Sequence, residues 1–205
     1  MLYLHLKRLK TNMLTQFFKN INWVDVGLLI LLVRVVFISV KTGFVTEVFK
    51  LLGVLLALFV SLHYYAILAA VLAKKTTLAE QSWQFWIFVS SWAVVTVGFK
   101  FFRDAVLLLF KVQTTHEGFD KYGAGVLGAL RAILLGSLMI FALLLIRQEY
   151  IQQQAMSAWG NKVVGRAAPN TYSFLYHHFI GKLFEQEKFN EDVFAVVSRH
   201  GTHPK

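Results

Sequence analysis

The stretch LLGVLLALFVSLHYYAILAAVLA, residues 51–73, decides the fold. It runs from Leu51 to Ala73 without a charged side chain. Its length is close to the roughly 20 residues a helix needs to cross a bilayer core of about 30 Å. Three more apolar runs accompany it: Val24–Val40, Trp83–Phe99 and Tyr122–Ile146. Lipid offers no water to the backbone, so each run must satisfy its own N–H and C=O groups and is predicted as a helix. A barrel would need polar and apolar residues in alternation, and Val54–Val60 does not alternate. The chain therefore reads as an all-α integral membrane protein with four transmembrane helices. The spans, about 24–40, 51–73, 83–99 and 122–146, make up a membrane domain over 23–146.

Composition agrees. Hydrophobic residues make up 57% and charged residues 16%, and mean hydropathy is +0.56. That is too little charge to cover the surface of a soluble domain. The absence of cysteine excludes disulfides and thiolate chemistry. A formal net charge of +10 suggests an acidic partner. In a polytopic membrane protein, basic residues sit in loops against anionic headgroups. No nucleic-acid motif is present, so the expected partner is the lipid bilayer and not nucleic acid.

Residues 1–22 form a basic segment in which Leu2, Leu6, Leu9, Met13 and Phe17 recur at steps of four and three. Lys7, Arg8, Lys10 and Lys19 are spread among them. This is the pattern of an amphipathic helix lying in the membrane surface; a disordered leader is the alternative, and a cleavable signal does not fit. The tail, 147–205, turns polar at Gln148 and Gln152–Gln154, then breaks at Pro169 and Asn170, a plausible helix start. Tyr172, Leu175, Tyr176, Phe179 and Leu183 follow at helical spacing, giving an amphipathic helix that lies on the membrane or docks on a partner. Four spans place both termini on one side. The terminal segments and the 74–82 loop carry about 13 Lys and Arg against about six in the other loops, which puts both termini in the cytoplasm.

Polar residues at or inside the spans are the functional candidates. Arg34 lies within the first span, where an arginine costs about 2.5–3.5 kcal/mol at the centre. It either pairs with Asp25 or Glu47 or snorkels toward the end carrying Lys41. Gly43 is placed for a turn. Glu47 follows in a helical stretch that is either a shallow helix or the first turns of the second span. His63 sits mid-span beside Ser61, Tyr64 and Tyr65. It either titrates or binds a metal, or it hydrogen-bonds to a neighbouring helix. His177 and His178 are adjacent, so they diverge around a helix. No metal site and no cofactor are expected.

The last span is the most patterned. Ala124, Gly128, Ala132 and Gly136 recur every four residues and stack into a smooth ridge, widened by Gly125 and Ala129. Helices in lipid associate through close packing of small residues, so the ridge is expected to be an interface within the chain or with a second copy. Gly123–Gly128 also spells G-x-G-x-x-G. That fingerprint requires a preceding strand and a βαβ unit, and neither is expected here.

The residues at the span edges resemble the bacterial colicin V production protein family. Asn22-Trp23-Val24-Asp25 is similar to its N-W-x-D opening, Gly43-Phe44-Val45-Thr46-Glu47 to its G-F-x-x-E element, and Leu52-Gly53 to the step that follows. Asp120-Lys121, Gly128 and Arg131 resemble the residues that open its last span. The resemblance covers about Asn22 to Ile146. Thr42 stands where a basic residue is usual, Ala124 where glycine is expected, and the tail beyond Arg147 shows no match.

The resemblance implies an inner-membrane protein needed for production or export of a small peptide toxin and for envelope maintenance, with no established catalytic mechanism. Two main functions compete: a non-catalytic assembly role with itself or other envelope proteins, and a channel or transporter subunit for a small solute or protons. An enzyme is not expected, since H-E-x-x-H, G-x-S-x-G and cysteine are all missing. The residues carrying these hypotheses are Asp25, Arg34, Glu47, Asp120 and Arg131, with Gly43, Gly53, Ala124, Gly128, Ala132 and Gly136 for packing.

Overall fold

The computed structural model describes residues 22–77, 79–109, 117–184 and 187–199. The amphipathic reading of the first segment falls outside them, as do 110–116, His200 and His203. Four long helices are each apolar and long enough to cross a membrane: α1 (Trp23–Thr42), α2 (Phe44–Ala73), α3 (Glu80–Leu109) and α4 (Glu117–Leu145). No strand occurs among the described residues. The fold is all-α, as its apolar runs require.

Asn22 starts α1, its Oδ1 accepting from the Val24 N–H at 3.0 Å, which satisfies one of the orphan donors of a helix N-terminus. Gly43 is the sharp break between α1 and α2, with φ at +84°. A side chain there would be strained by the backbone, and a Cβ would lie 2.9 Å from Asp120 Oδ2. Beyond this break α2 runs unbroken from Phe44. Glu47 therefore belongs to the first turn of the second span itself.

Two helix pairs build the bundle. α1 packs on α4, and α3 packs on α2, while α2 and α4 join the pairs. The small-residue ridge of α4 meets α1 of its own chain. A Cβ on Gly128 would overlap the Ser39 side chain and come within 3.6 Å of the Val36 backbone. One on Gly136 would lie 3.1 Å from Leu28. Ala124 and Ala132 are buried. Gly53 lets Phe99 of α3 approach α2. The aromatic side chains of Tyr65, Phe88 and Phe141 then fill the core between α2, α3 and α4.

The tail comprises α5 (Glu149–Ser157), α6 (Trp159–Val164), α7 (Ala167–Leu175) and α8 (Asp192–Arg199). α7 continues through a π-helical turn at Tyr176–Ile180 into Gly181–Leu183. The helix begins at Ala167, ahead of Pro169. Proline is tolerated in the first turn because its missing N–H would be unsatisfied there anyway. The tail docks on its own bundle: α5, α6 and α7 contact α4, and α7 also reaches α2.

Candidate functional site

At the Gly43 end, Glu47 is fully buried. Its Oε2 lies 2.7 Å from Arg131 Nη1 and accepts from Ser39 Oγ at 3.0 Å. Its Oε1 accepts from Thr42 Oγ1 and from Lys50 Nζ, each at 2.6 Å. Ser39 has one hydroxyl proton for two acceptors, Glu47 and the Val35 carbonyl, and its oxygen also faces Arg131 Nη2 at 3.4 Å. Three helices thus converge on one carboxylate: α1 through Ser39 and Thr42, α2 through Lys50, and α4 through Arg131. Burying a charge is costly unless it is paired and hydrogen-bonded, and both conditions are met. Both oxygens are fully engaged, so the group acts as a lock between helices in this state.

Asp120 stands beside this cluster. Its Oδ1 accepts from the Phe44 N–H at 2.7 Å, so an acid on α4 caps the start of α2. Gly43 offers no side-chain cap, and the negative charge also suits the positive end of the helix dipole.

The Asn22 end is built differently. Asp25 Oδ1 and Oδ2 accept from the Gly160 N–H at 2.7 Å and the Trp159 N–H at 3.1 Å, capping α6. Asn22 Nδ2 donates to the Gln154 carbonyl and to Ser157 Oγ, the latter at 3.1 Å. Buried Ser137 of α4 donates to the Gly165 carbonyl at 2.9 Å and accepts from the Ala168 N–H at 2.8 Å. His63, also buried, lies 2.9 Å from Tyr172 Oη through Nδ1 and 3.0 Å from Glu187 Oε2 through Nε2. Tyr172 Oη accepts from the Asn190 N–H at 3.0 Å. Burial pushes the Tyr172 phenol up to about 12, and the nearby Tyr176, Glu187 and Tyr64 add to the rise, against the Asn190 hydrogen bond.

The structure therefore brings Glu47 and Arg131 together, sets Asp120 next to them, and places Asp25 at the opposite end. Arg34 is exposed on α1 and pairs with neither Asp25 nor Glu47; snorkelling is the reading its position allows. Among the described residues, no group of three or more His, Asp or Glu side chains could hold a metal ion. Ser39, Lys50, Ser137 and Glu187 were not singled out by the sequence. Ser39 and Ser137 are each a small polar residue in an otherwise apolar run, which was the one available signal.

These features define a four-span helical membrane protein whose own tail is clamped to one end of the bundle. The colicin V production protein family model matches residues 24–169, and the chain belongs to that family. The match passes beyond Ile146, where the motif resemblance stopped, and takes in α5, α6 and the start of α7. Within that stretch the Asp25 cap joins the opening motif to α6. No curated protein and no solved structure matches the chain.

Proposed function

We propose that this chain is a non-catalytic inner-membrane protein that supports production or export of a colicin V-type peptide and maintenance of the envelope. In this reading both termini lie in the cytoplasm and the chain assembles with itself or with other envelope proteins. Family membership supports the link to colicin V production. One observation carries the structural, non-transport part of this reading: Asp25, Glu47 and Asp120 each end on donors from another element of the same chain. Carboxylates engaged in this way hold helices together, and these three are tied to donors rather than free to carry protons.

The runner-up is a channel or transporter subunit for a small solute or protons. It is favoured by an ion pair at membrane depth that borders a cavity, since Lys50 and Arg131 both line it.

Toxin partitioning tests the first reading. Peptide inside cells and in the medium is quantified in a deletion strain carrying a colicin V-type plasmid, with and without this gene. Intracellular retention that the wild-type gene relieves is the expected result. Unchanged partitioning detaches the chain from toxin export. Glu47→Gln and Asp120→Asn then separate the two readings. Loss of folded protein favours assembly, whereas normal protein levels with abolished activity favour transport.

A further inference from the structure

The cavity has a volume of about 680 Å³ and receives side chains from all four spans. It lies between the α1–α4 and α2–α3 pairs. Its walls are apolar, with Val54, Val89, Leu138 and Met139 among them. Four cations line it as well: Lys50, Lys100, Arg103 and Arg131.

Charge bookkeeping there does not close. Glu47 answers Arg131 and Lys50, and Asp104 answers Arg103 at 2.5 Å. Even with the neighbouring Asp120 counted, three carboxylates stand against four cations, so positive charge is left over. Lys100 is exposed and has no acidic partner among the described residues. Trp92 lines the same space, and its indole N–H is buried without a hydrogen-bond partner among the described residues. Excess positive charge above an apolar chamber, in a protein bathed in lipid, is the complement of one kind of molecule.

We propose that this cavity binds an anionic membrane lipid. Its phosphate would sit against Lys100 and Arg103, and an acyl chain would occupy the chamber between the helix pairs. Basic pockets between transmembrane helices recognise anionic headgroups by this combination of charge and apolar area. Lys50 and Arg131 are already engaged with Glu47, so they supply field more than contact, whereas the Asp104 contact uses only Nε and Nη2 of Arg103. Selectivity then rests on the two α3 cations. This site is independent of the toxin-related reading and stands or falls separately.

The test uses the full chain in nanodiscs of phosphatidylcholine containing dioleoyl phosphatidylglycerol. Lipid retained after extraction into detergent is counted by native mass spectrometry. Wild-type protein is expected to retain one phosphatidylglycerol with about tenfold preference over phosphatidylcholine, the size of one charge-assisted contact. Lys100→Gln and Arg103→Gln should each reduce that preference severalfold. Both thermal midpoints should stay near wild type, because neither side chain holds two helices together. Thr96→Trp, which fills the chamber from its wall, should lower retention of both lipids. Equal retention of the two lipids by wild-type protein overturns the proposal, as does an unchanged preference in Lys100→Gln. Displacement of the lipid by millimolar inorganic phosphate would make this a free-anion site and would also overturn it.

Discussion

The two ends of the bundle solve the same problem with different chemistry. At the Gly43 end, a buried carboxylate is surrounded by two cations and two hydroxyls from three helices. At the Asn22 end, the contacts are caps, hydrogen bonds to backbone and neutral side-chain pairs, together with His63 against Glu187, and they hold a tail rather than a span. The difference concerns what each contact can lose. A buried ion pair that loses one partner leaves an uncompensated charge, whereas water can replace the half-buried Asp25 cap when it is lost. The Gly43 end should therefore fail with the whole bundle, and the Asn22 end should open locally.

The largest effect expected is at Glu47. Glu47→Gln leaves Arg131 buried without its acid, a loss of about 3–5 kcal/mol. Adding Arg131→Met removes the orphaned charge and should restore part of the thermal midpoint in detergent. A single variant as stable as wild type would show that the pair holds nothing. Next is Gly128→Leu, which drives a side chain into Ser39 and the α1 backbone and should cost about 3 kcal/mol. The chain has no cysteine, so a disulfide between Leu28→Cys and Gly136→Cys reports the α1–α4 contact cleanly. Crosslinking that survives Gly128→Leu would remove the ridge from this interface.

Alkaline pH acts on the other end. Folding raises the Tyr172 phenol from 10.0 to about 12, so the folded state keeps its proton where the unfolded state has lost it. Stability from this group is intact below about pH 10, falls as pH climbs from 10 to 12, and is level above. The whole step is about 2–3 kcal/mol. Thermal midpoints of wild type and Tyr172→Phe across pH 9–12 would isolate it. Parallel curves would mean that the phenol does not govern how the tail is held.

Much of this was legible in the residues. Length and apolarity set the four spans, because lipid allows the backbone few solutions. Gly43 and Gly128 were readable because each position tolerates only the smallest side chain. The orientation of the ridge was not, since an every-fourth-residue pattern names a face and not its partner. Nor did local spacing join Asp25 to Trp159 and Gly160, or His63 to Glu187. Those pairs are separated by more than a hundred positions and meet only because α4 returns the chain to the end where α1 began. Arg34 stayed open for a related reason: a charge within an apolar run has either a partner or an exit, and sequence alone does not choose.

The smallest effect discriminates best between the two ends. Asp25→Asn keeps an oxygen acceptor but loses the charge that favours the start of α6, a change of about 1 kcal/mol. The α1–α4 ridge loses nothing by it, and α1 loses only a first-turn charge worth about 0.3–1 kcal/mol. Limited trypsin digestion should therefore cut faster at Lys162 and Arg166, both exposed on or beside α6, while the thermal midpoint of the bundle moves little. Asn22→Ala should act in the same direction, through loss of Ser157 and Gln154 as acceptors and of the α1 cap. If Asp25→Asn instead lowers the midpoint as far as Glu47→Gln does, the tail is a cooperative part of the bundle. The two ends would then differ in chemistry but not in consequence.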